Sequence, residues 1–344
     1  MVPSNTVLRG SEPLVAIDAD VLGRERTGDE TYVAALLRHL PDAAPDLRFA
    51  AITRRPDLVP PGIEAVELPA RIQELRVALG LPRLLRRLRP ALAHFQYALP
   101  PACPCPAVIT VHDLSFERGL MGAKDALLFR LVVPRSARRA ARVLTVSERS
   151  RRDLIERYGL PPERVVVTPN GVDAAFSPGN GAGGYLLFVG AVQERKDPLA
   201  AAEAAAQVGL PLVVAGPRKD EALARELERR GADVRGYVDH DELAGLYRGA
   251  AALLLPSRHE GFGLPVLEAM ASGTPVVATP DPALRELAGD AALFAEPAEL
   301  ADAVRRAVAD RPRLVAAGLE RARAFTWEET ARRTAAVYRE VLGL

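Results

Sequence analysis

The most informative sequence in this chain reads Ser257-Arg258-His259-Glu260-Gly261-Phe262-Gly263-Leu264-Pro265-Val266-Leu267-Glu268-Ala269-Met270. An aliphatic run precedes it and a helical pattern follows, so it should connect a β-strand to an α-helix. Pro265 suits the first turn of a helix, where its missing N–H is not needed, and this predicts a helix start at about 263–265. Free backbone N–H groups and the helix dipole favour an anion at such a start. The stretch therefore predicts a phosphate site.

Two carboxylates flank this predicted anion site. Glu260 lies in the loop and Glu268 lies about one turn into the helix, so both can face one cleft. A carboxylate accepts two hydroxyl hydrogen bonds at once, which suits a ribose diol or the hydroxyls of a pyranose. On spacing alone, a turn cap at Glu260 and a solvated helix face at Glu268 explain the pattern equally well.

The sequence on both sides of the motif alternates between short aliphatic runs and helical patterns, which is typical of α/β folds with parallel sheets. A length of 344 residues favours two domains, and turn-forming residues from Asn170 to Gly184 predict a linker between them. We expect two Rossmann-like, doubly wound domains at 1–175 and 176–325, and a C-terminal segment at 326–344 whose helix, Trp327–Leu342 capped by Thr326, packs back towards the first domain. The strand candidates are Leu14–Asp18, Phe49–Thr53, Ile63–Glu67, Ala91–Phe95, Ala107–His112, Arg142–Val146, Val165–Pro169, Tyr185–Gly190, Pro211–Gly216, Asp233–Val238, Ala251–Pro256, Pro275–Thr279 and Ala291–Ala295.

Charged side chains follow two further strand candidates, at the sheet edge where open α/β folds bind ligands. Arg195 and Lys196 come after the strand that ends at Gly190, and fixed cations stabilise a departing diphosphate without proton transfer. A surface Arg–Lys pair is the alternative. His112 and Asp113 end the strand of the first half that begins at Ala107. A lone histidine there is more often structural than catalytic, and Asp113 either orients it or caps the next turn.

Together these residues resemble the family 4 glycosyltransferases of the GT-B fold. The resemblance covers nearly the whole chain and rests on Glu260-Gly-Phe-Gly-Leu-Pro-Val-Leu-Glu268 with the following Ala-Met-Ala-Ser-Gly-Thr-Pro-Val-Val-Ala278, on Ser147-Glu-Arg-Ser-Arg-Arg-Asp-Leu154, and on Pro169-Asn-Gly-Val-Asp173. It implies a retaining transferase similar to the bacterial mannosyl- and glucosyltransferases of cell-envelope glycan synthesis. Such an enzyme moves a hexose from a nucleotide sugar to a glycan or a lipid-linked acceptor. By family frequency, GDP-mannose is the first expected donor and UDP-glucose the second.

The resemblance also implies residue roles. Glu268 would hold the nucleotide ribose, Glu260 would contact the donor sugar, and Lys196 would bind the diphosphate. It places His112 near the donor sugar, so His112 and Glu260 are the expected catalytic residues. The other expected donor contacts are Gly28, Arg195, Gly216, Val238, Gly261, Phe262, Gly263 and Leu264.

Two positions depart from the family pattern. Many members carry an arginine directly after the strand-ending glycine, where this chain has Ala191, so Arg195 would supply the second cation. The segment Arg26–Tyr32 matches the position of a Gly-x-Gly-x-Tyr loop and is expected to precede the first helix. It keeps Gly28 but has Glu30 in place of the second glycine, and a carboxylate beside a diphosphate is unfavourable unless it turns away.

The remaining features argue against other ligands. Asp18-Ala-Asp20 resembles the metal site of a different glycosyltransferase fold, but Lys196, Arg195 and a helix N-terminus already answer the charge of the leaving group, so we expect neither a metal ion nor a cofactor. Cys103 and Cys105 alone cannot close a zinc site. A net charge of +1 gives no reason to expect a nucleic-acid partner.

Location and membrane contact are predicted from hydropathy and charge. No apolar run approaches the ~20 residues that span a bilayer, and residues 1–13 lack a signal-peptide core, so we expect a cytoplasmic protein. Arginine-rich segments at 83–89 and 135–152 suit peripheral contact with an anionic membrane, or are ordinary solvated faces.

Two other functions fit the same architecture. A sugar-nucleotide epimerase would share donor binding but need acid and base groups. A non-catalytic nucleotide-sugar-binding subunit is suggested by Ala191 and Glu30. A nicotinamide dehydrogenase is disfavoured because no strand candidate is followed by Gly-x-Gly-x-x-Gly.

Overall fold

In the computed structural model, which describes residues 12–24, 27–68, 72–118, 123–179, 181 and 183–344, the chain forms two parallel β-sheets. The first sheet contains β1 (Leu14–Asp18), β2 (Arg48–Thr53), β3 (Glu64–Glu67), β4 (Leu92–Gln96), β5 (Ala107–Thr110), β6 (Arg142–Thr145) and β7 (Val165–Val167). The second contains β8 (Tyr185–Val189), β9 (Leu212–Ala215), β10 (Asp233–Gly236), β11 (Ala250–Leu255), β12 (Val276–Ala278) and β13 (Leu293–Phe294). Every predicted strand is present, with ends that differ from prediction by at most two residues.

Helices cover both faces of each sheet, as the crossover connections between parallel strands require. They are α1 (Thr27–Ala43), α2 (Gln73–Leu75), α3 (Leu81–Leu88), α4 (Ala123–Arg139), α5 (Glu148–Tyr158), α6 (Pro198–Val208), α7 (Glu221–Arg229), α8 (His240–Gly249), α9 (Leu264–Ala271), α10 (Pro282–Ala288), α11 (Leu300–Ala309), α12 (Arg311–Ala322) and α13 (Trp327–Leu342). A π-helical turn at Arg76–Gly80 joins α2 to α3.

Both sheets are doubly wound. The strand orders are β3-β2-β1-β4-β5-β6-β7 and β10-β9-β8-β11-β12-β13. The order reverses between β1 and β4 in the first sheet, and between β8 and β11 in the second. Crevices at such reversals, outside the carboxyl ends of the strands, are where open α/β sheets bind ligands. The predicted fold class is confirmed, and the loops after β8 and β11 flank the reversal of the second sheet.

The last helix returns to the first sheet. α13 begins at Trp327, where the Thr326 side chain accepts a hydrogen bond from the Glu329 N–H, as predicted. It packs on α1, and Trp327 and Tyr338 are buried in the same apolar cluster as Tyr32. Val172 and Thr326 form a single parallel β-bridge, in which the Val172 N–H donates to the Phe325 carbonyl at 3.2 Å. The domain limits near 175 and 325 stay predictions.

One predicted loop is wrong. Helix α1 starts at Thr27, so Gly28 and Glu30 lie in its first turn and not in a preceding loop; Arg26 lies outside the described residues. Acidic residues in the first turn stabilise a helix by their interaction with its dipole, and Asp29 and Glu30 lie in that turn. The Glu30 carboxylate accepts a hydrogen bond from Gly23 N–H at 2.6 Å, so the preceding loop holds it.

Within the described part of the chain, no helix is both long and apolar enough to cross a bilayer. The first eleven of the residues 1–13 considered for a signal peptide lie outside that part.

Candidate active site

The site is organised around the start of α9, which follows β11 as predicted. The helix begins at Leu264 with Pro265 in its first turn, and no side chain caps its N-terminus. Gly263 precedes it with φ +103°, and a Cβ there would lie 2.4 Å from Leu284 Cδ2, so only glycine fits this turn. An uncapped helix N-terminus is a favourable position for an anion.

Lys196 and Glu260 form an ion pair beside this helix start. Lys196 Nζ lies 2.6 Å from Glu260 Oε1, and the two side chains are only 11% and 7% exposed. Burial lowers the pKa of Lys196, and the Glu260 charge opposes that shift. The backbone N–H of Glu260 donates to Asp281 Oδ2 at 3.3 Å. Two residues predicted to contact different parts of a donor thus contact each other.

Arg195 connects the β8 loop to the β11 loop. One guanidinium nitrogen, Nη1, donates to the His259 carbonyl at 2.8 Å, and Arg258 N–H donates to the Arg195 carbonyl at 2.9 Å. The Arg195 charge also lowers the pKa of Asp113 in the first domain, against the effect of burial. The cation is therefore held at the face of the second domain that meets the first.

Glu268 is a buried carboxylate, not a solvated helix face. Its residue is 8% exposed, and its Oε2 accepts a hydrogen bond from Tyr247 Oη at 2.7 Å. Burial raises the pKa of Glu268 to about 7, the Tyr247 hydrogen bond opposes the shift, and the negative charge of Asp173 adds to it. Hydroxyl groups that donate hydrogen bonds to a carboxylate stabilise its charged form. This stabilisation is larger for a buried carboxylate such as Glu268 than for a solvated one.

His112 lies in the first domain, two residues after the carboxyl end of β5. Its Nε2 is 3.0 Å from Gln96 Oε1 and 3.8 Å from Asp29 Oδ1, and the Tyr32 ring meets the imidazole edge-on. Burial lowers the pKa of His112 despite nearby carboxylates, which favours the neutral form of the ring. Asp113 Oδ1 accepts a hydrogen bond from Ser115 N–H at 2.9 Å, which assigns it to capping the next turn.

The two domains touch at Gly261. Its carbonyl accepts a hydrogen bond from Ser147 Oγ at 2.7 Å, and a Cβ on Gly261 would lie 2.4 Å from the His112 carbonyl oxygen. Any side chain would therefore separate the domains. This contact places His112 of the first domain next to the loop that carries Glu260.

A second contact between the domains lies at the start of α5. The Glu286 carboxylate of α10 accepts hydrogen bonds from the backbone N–H groups of Glu148 at 2.8 Å and Arg149 at 3.1 Å. The side chain of one domain thus caps a helix of the other.

The other predicted donor contacts lie at several places around the cleft. Phe262 is buried, and Leu264 packs against the cores of both domains. Gly28 lies beside Asp29 in the first turn of α1, and a Cβ there would meet open space. Gly216 and Val238 follow β9 and β10, and a Cβ on Gly216 would lie 2.1 Å from the Gly190 carbonyl oxygen, at the start of the loop that carries Lys196.

Both carboxylates of the Asp18-Ala-Asp20 motif are paired with arginines. Asp18 pairs with the fully buried Arg76 at 2.5 Å, and Arg54 donates twice to Asp20 at 2.7 Å. Arg24 also pairs with Asp20. Among the residues that the structure describes, no group of three or more His, Cys, Asp or Glu side chains is arranged to hold a metal ion.

Two residues of this site, Tyr247 and Asp281, are not predicted from the sequence. Tyr247 reads as an ordinary buried residue of an amphipathic helix, so nothing in the sequence marked it. Asp281 precedes Pro282 at a helix start, which is a recognisable capping signal, and it does accept from Ala283 N–H at 2.8 Å. Its second oxygen holds the Glu260 backbone, which no local pattern could show.

Comparison with known proteins identifies the family of this chain. Residues 26–176 match the family described as Glycosyltransferase Family 4, and residues 183–310 match Glycosyl transferases group 1. The O-antigen chain mannosyltransferase B of Escherichia coli is 32% identical in an alignment 267 residues long, and the match covers 68% of this chain and 70% of that protein. The chain belongs to glycosyltransferase family 4. A D-inositol 3-phosphate glycosyltransferase of Acidothermus cellulolyticus is 32% identical over 69% of this chain, which spans 62% of that relative's length.

Solved structures of low identity share the fold of this family 4 chain. Sucrose-phosphate synthase from Thermosynechococcus elongatus superposes with a TM-score of 0.76 at 21% identity, over 96% of this chain and 99% of that one. Anabaena HepE in complex with UDP-glucose gives a TM-score of 0.74 at 16% identity, over 95% and 99%. Both neighbours confirm the GT-B architecture.

Proposed function

We propose that this chain transfers a hexose from a nucleotide sugar to a glycan or lipid-linked acceptor, with retention of anomeric configuration and without a metal ion. The observation that carries the proposal is the uncapped start of α9, flanked by Glu260 and Glu268 and faced by Lys196. Glu268 accepts the ribose hydroxyls, and the helix start and Lys196 bind the diphosphate. Glu260 and His112 contact the donor sugar.

The chemistry is electrostatic. Negative charge develops on the leaving diphosphate, and a buried cation and a helix N-terminus stabilise that charge more strongly than water would. Burial favours a neutral His112 imidazole, which offers the donor sugar a hydrogen-bond donor or acceptor and not a second cation. Contact between the domains at Gly261 excludes water from the donor sugar and limits hydrolysis.

The relatives guide the choice of donor and acceptor. The Escherichia coli relative is named as a mannosyltransferase of an O-antigen chain, which supports GDP-mannose as the first donor and a glycan acceptor. The HepE structure holds UDP-glucose, which supports it as the second. Relatives named for inositol phosphate widen the acceptors to be tested. The epimerase alternative is not favoured, since the named relatives are transferases.

A transfer assay tests the proposal. The purified chain is given GDP-mannose or UDP-glucose with chelator, each with glycan, lipid-linked or inositol phosphate acceptors, and the product linkage is read by NMR. We expect one donor to yield an α-linked product despite chelator, and Glu260→Gln to lower turnover about 100-fold. Glu320→Gln, an exposed carboxylate of α12 paired with Arg323, is the matched control.

Inversion, dependence on a divalent ion, or full activity of Glu260→Gln would contradict this assignment. Donor binding without transfer to any acceptor would favour the non-catalytic subunit instead.

A further inference from the structure

Tyr247 lies fully buried in α8 and directs its hydroxyl group at Glu268 in α9. The hydroxyl Oη is 2.7 Å from Glu268 Oε2. Among the residues that the structure describes, no other side chain hydrogen-bonds to this carboxylate. A buried tyrosine hydroxyl needs a partner, and an ionised carboxylate is the strongest acceptor available to it. The bond occupies one carboxylate oxygen and leaves Oε1 for a ligand.

The surroundings hold Tyr247 in place. The Phe176 ring meets its ring edge-on at 5.7 Å, and Thr274 Oγ1, just after α9, donates to the Tyr247 carbonyl at 2.6 Å. Both the ring and the backbone are therefore fixed relative to α9. These contacts hold the Tyr247 hydroxyl beside the Glu268 carboxylate.

We propose that Tyr247 is a positioning residue for donor binding, which keeps Glu268 ionised and oriented towards the ribose diol. The inference rests on the proposed function, because it requires Glu268 to bind the ribose.

Charge in the surroundings explains why such help is needed. Burial and Asp173 both favour the protonated form of Glu268, and the Tyr247 bond opposes them. Asp173 is itself paired with Arg38 at 3.1 Å and lies 4.0 Å from His240. Burial and the Glu268 charge raise the pKa of Tyr247 well above its usual value, so its hydroxyl remains a donor at any working pH.

The sign of the expected pH dependence follows from these groups. A diol donates two hydrogen bonds to a carboxylate but only weakly to a protonated acid, so the ligand binds the ionised form. Because the pKa of Glu268 is raised to about 7, donor affinity is full above that pH and falls as the pH drops through it. Loss of the Tyr247 hydroxyl removes a bond to the charged form and moves the fall to higher pH.

Calorimetric titration of the full chain with GDP-mannose and UDP-glucose, from about pH 5.5 to about pH 8.5, tests this. The diphosphate of a nucleotide sugar is a diester and does not titrate in this range, so the protein supplies the pH dependence. We expect Tyr247→Phe to shift the midpoint upward by about one pH unit and weaken binding about five-fold at pH 7, with nearly normal affinity at the highest pH.

Two controls match this variant. Tyr185→Phe removes a hydroxyl that donates to the carbonyl of Leu246, the neighbour of Tyr247, and should keep the wild-type profile. His240→Gln replaces the imidazole that lies 4.0 Å from Asp173 and should also keep the midpoint.

An unchanged midpoint in Tyr247→Phe, or an equal loss of affinity at every pH, would overturn the inference. Glu268→Gln separates that failure from failure of the proposed function. If Glu268 binds the ribose, this variant binds weakly with no midpoint near pH 7; if it binds like the wild type, the role proposed for Glu268 itself is wrong.

Discussion

At the residue scale, the Lys196–Glu260 ion pair determines which new contacts a bound donor can make. A buried pair of this kind is costly to break on one side, because the remaining charge loses its partner. A diphosphate that approaches the start of α9 offers Lys196 a second negative partner, and a pyranose offers Glu260 hydroxyl donors. With the proposed roles, donor binding would therefore add a contact to Lys196 and others to Glu260.

Single substitutions should separate the two roles. Lys196→Ala removes a charge-assisted contact, so we expect affinity for the nucleotide sugar to fall about 10- to 100-fold. Glu260→Ala leaves Lys196 free for the diphosphate, so we expect equal or tighter donor binding with turnover lowered about 100-fold. Calorimetry and a turnover assay measure the two effects, with the exposed Arg305→Ala as control. Equal losses of affinity in both variants would refute this division.

Some residues of the site can be predicted from the sequence and others cannot. Glu260, Glu268 and Lys196 lie at strand ends or helix starts, where the chain order fixes the sheet edge on which they appear. Tyr247 and Asp281 act through contacts between segments distant in sequence, and no local pattern encodes such contacts. The pairing of Lys196 with Glu260 belongs to the same class, since 64 residues separate them.

At the scale of elements, α4 presents an unusual apolar face. Leu127, Leu128 and Leu131 are 61%, 50% and 48% exposed, and Arg130 and Arg135 are exposed on the same helix. Part of the arginine-rich segment 135–152 is already paired, as Arg142 is with Glu340 and Arg149 with Asp153. The exposed leucines of α4, and not the paired Arg142 and Arg149, are therefore the better candidates for the predicted contact with an anionic membrane.

Vesicle sedimentation tests this contact. We expect the chain to pellet with vesicles containing anionic phospholipid at low salt, and Leu127→Glu with Leu131→Glu to reduce the bound fraction about ten-fold. Val308→Glu, at an exposed valine of α11 in the other domain, should bind as the wild type does. Binding that survives the double substitution would exclude α4 as the contact.

Elements were predicted to different degrees for physical reasons. Buried parallel strands are short aliphatic runs, so all of them could be located from sequence. The start of α1 could not, because a family loop pattern suggested a loop where Asp29 and Glu30 stabilise a helical turn. The length of α13 was correct because Thr326 and Gly343 cap its two ends.

At the scale of the whole molecule, the proposed donor site lies where the two domains meet. Gly261 touches the His112 carbonyl, Glu286 caps α5, and α13 returns from the second domain to pack on α1. A ligand held by residues of both domains should therefore stabilise the whole chain against unfolding, and not one half of it.

Thermal unfolding with nucleotide sugars measures this most directly. The chain and Glu268→Ala are each heated with GDP-mannose, UDP-glucose, UDP-N-acetylglucosamine or NAD, with and without chelator. We predict one chelator-insensitive transition raised by a single class of nucleotide sugar, worth about 2.7 kcal/mol at 100 times the dissociation constant, and no rise in Glu268→Ala. Stabilisation by NAD alone, or by no nucleotide sugar, would contradict the assignment of this site.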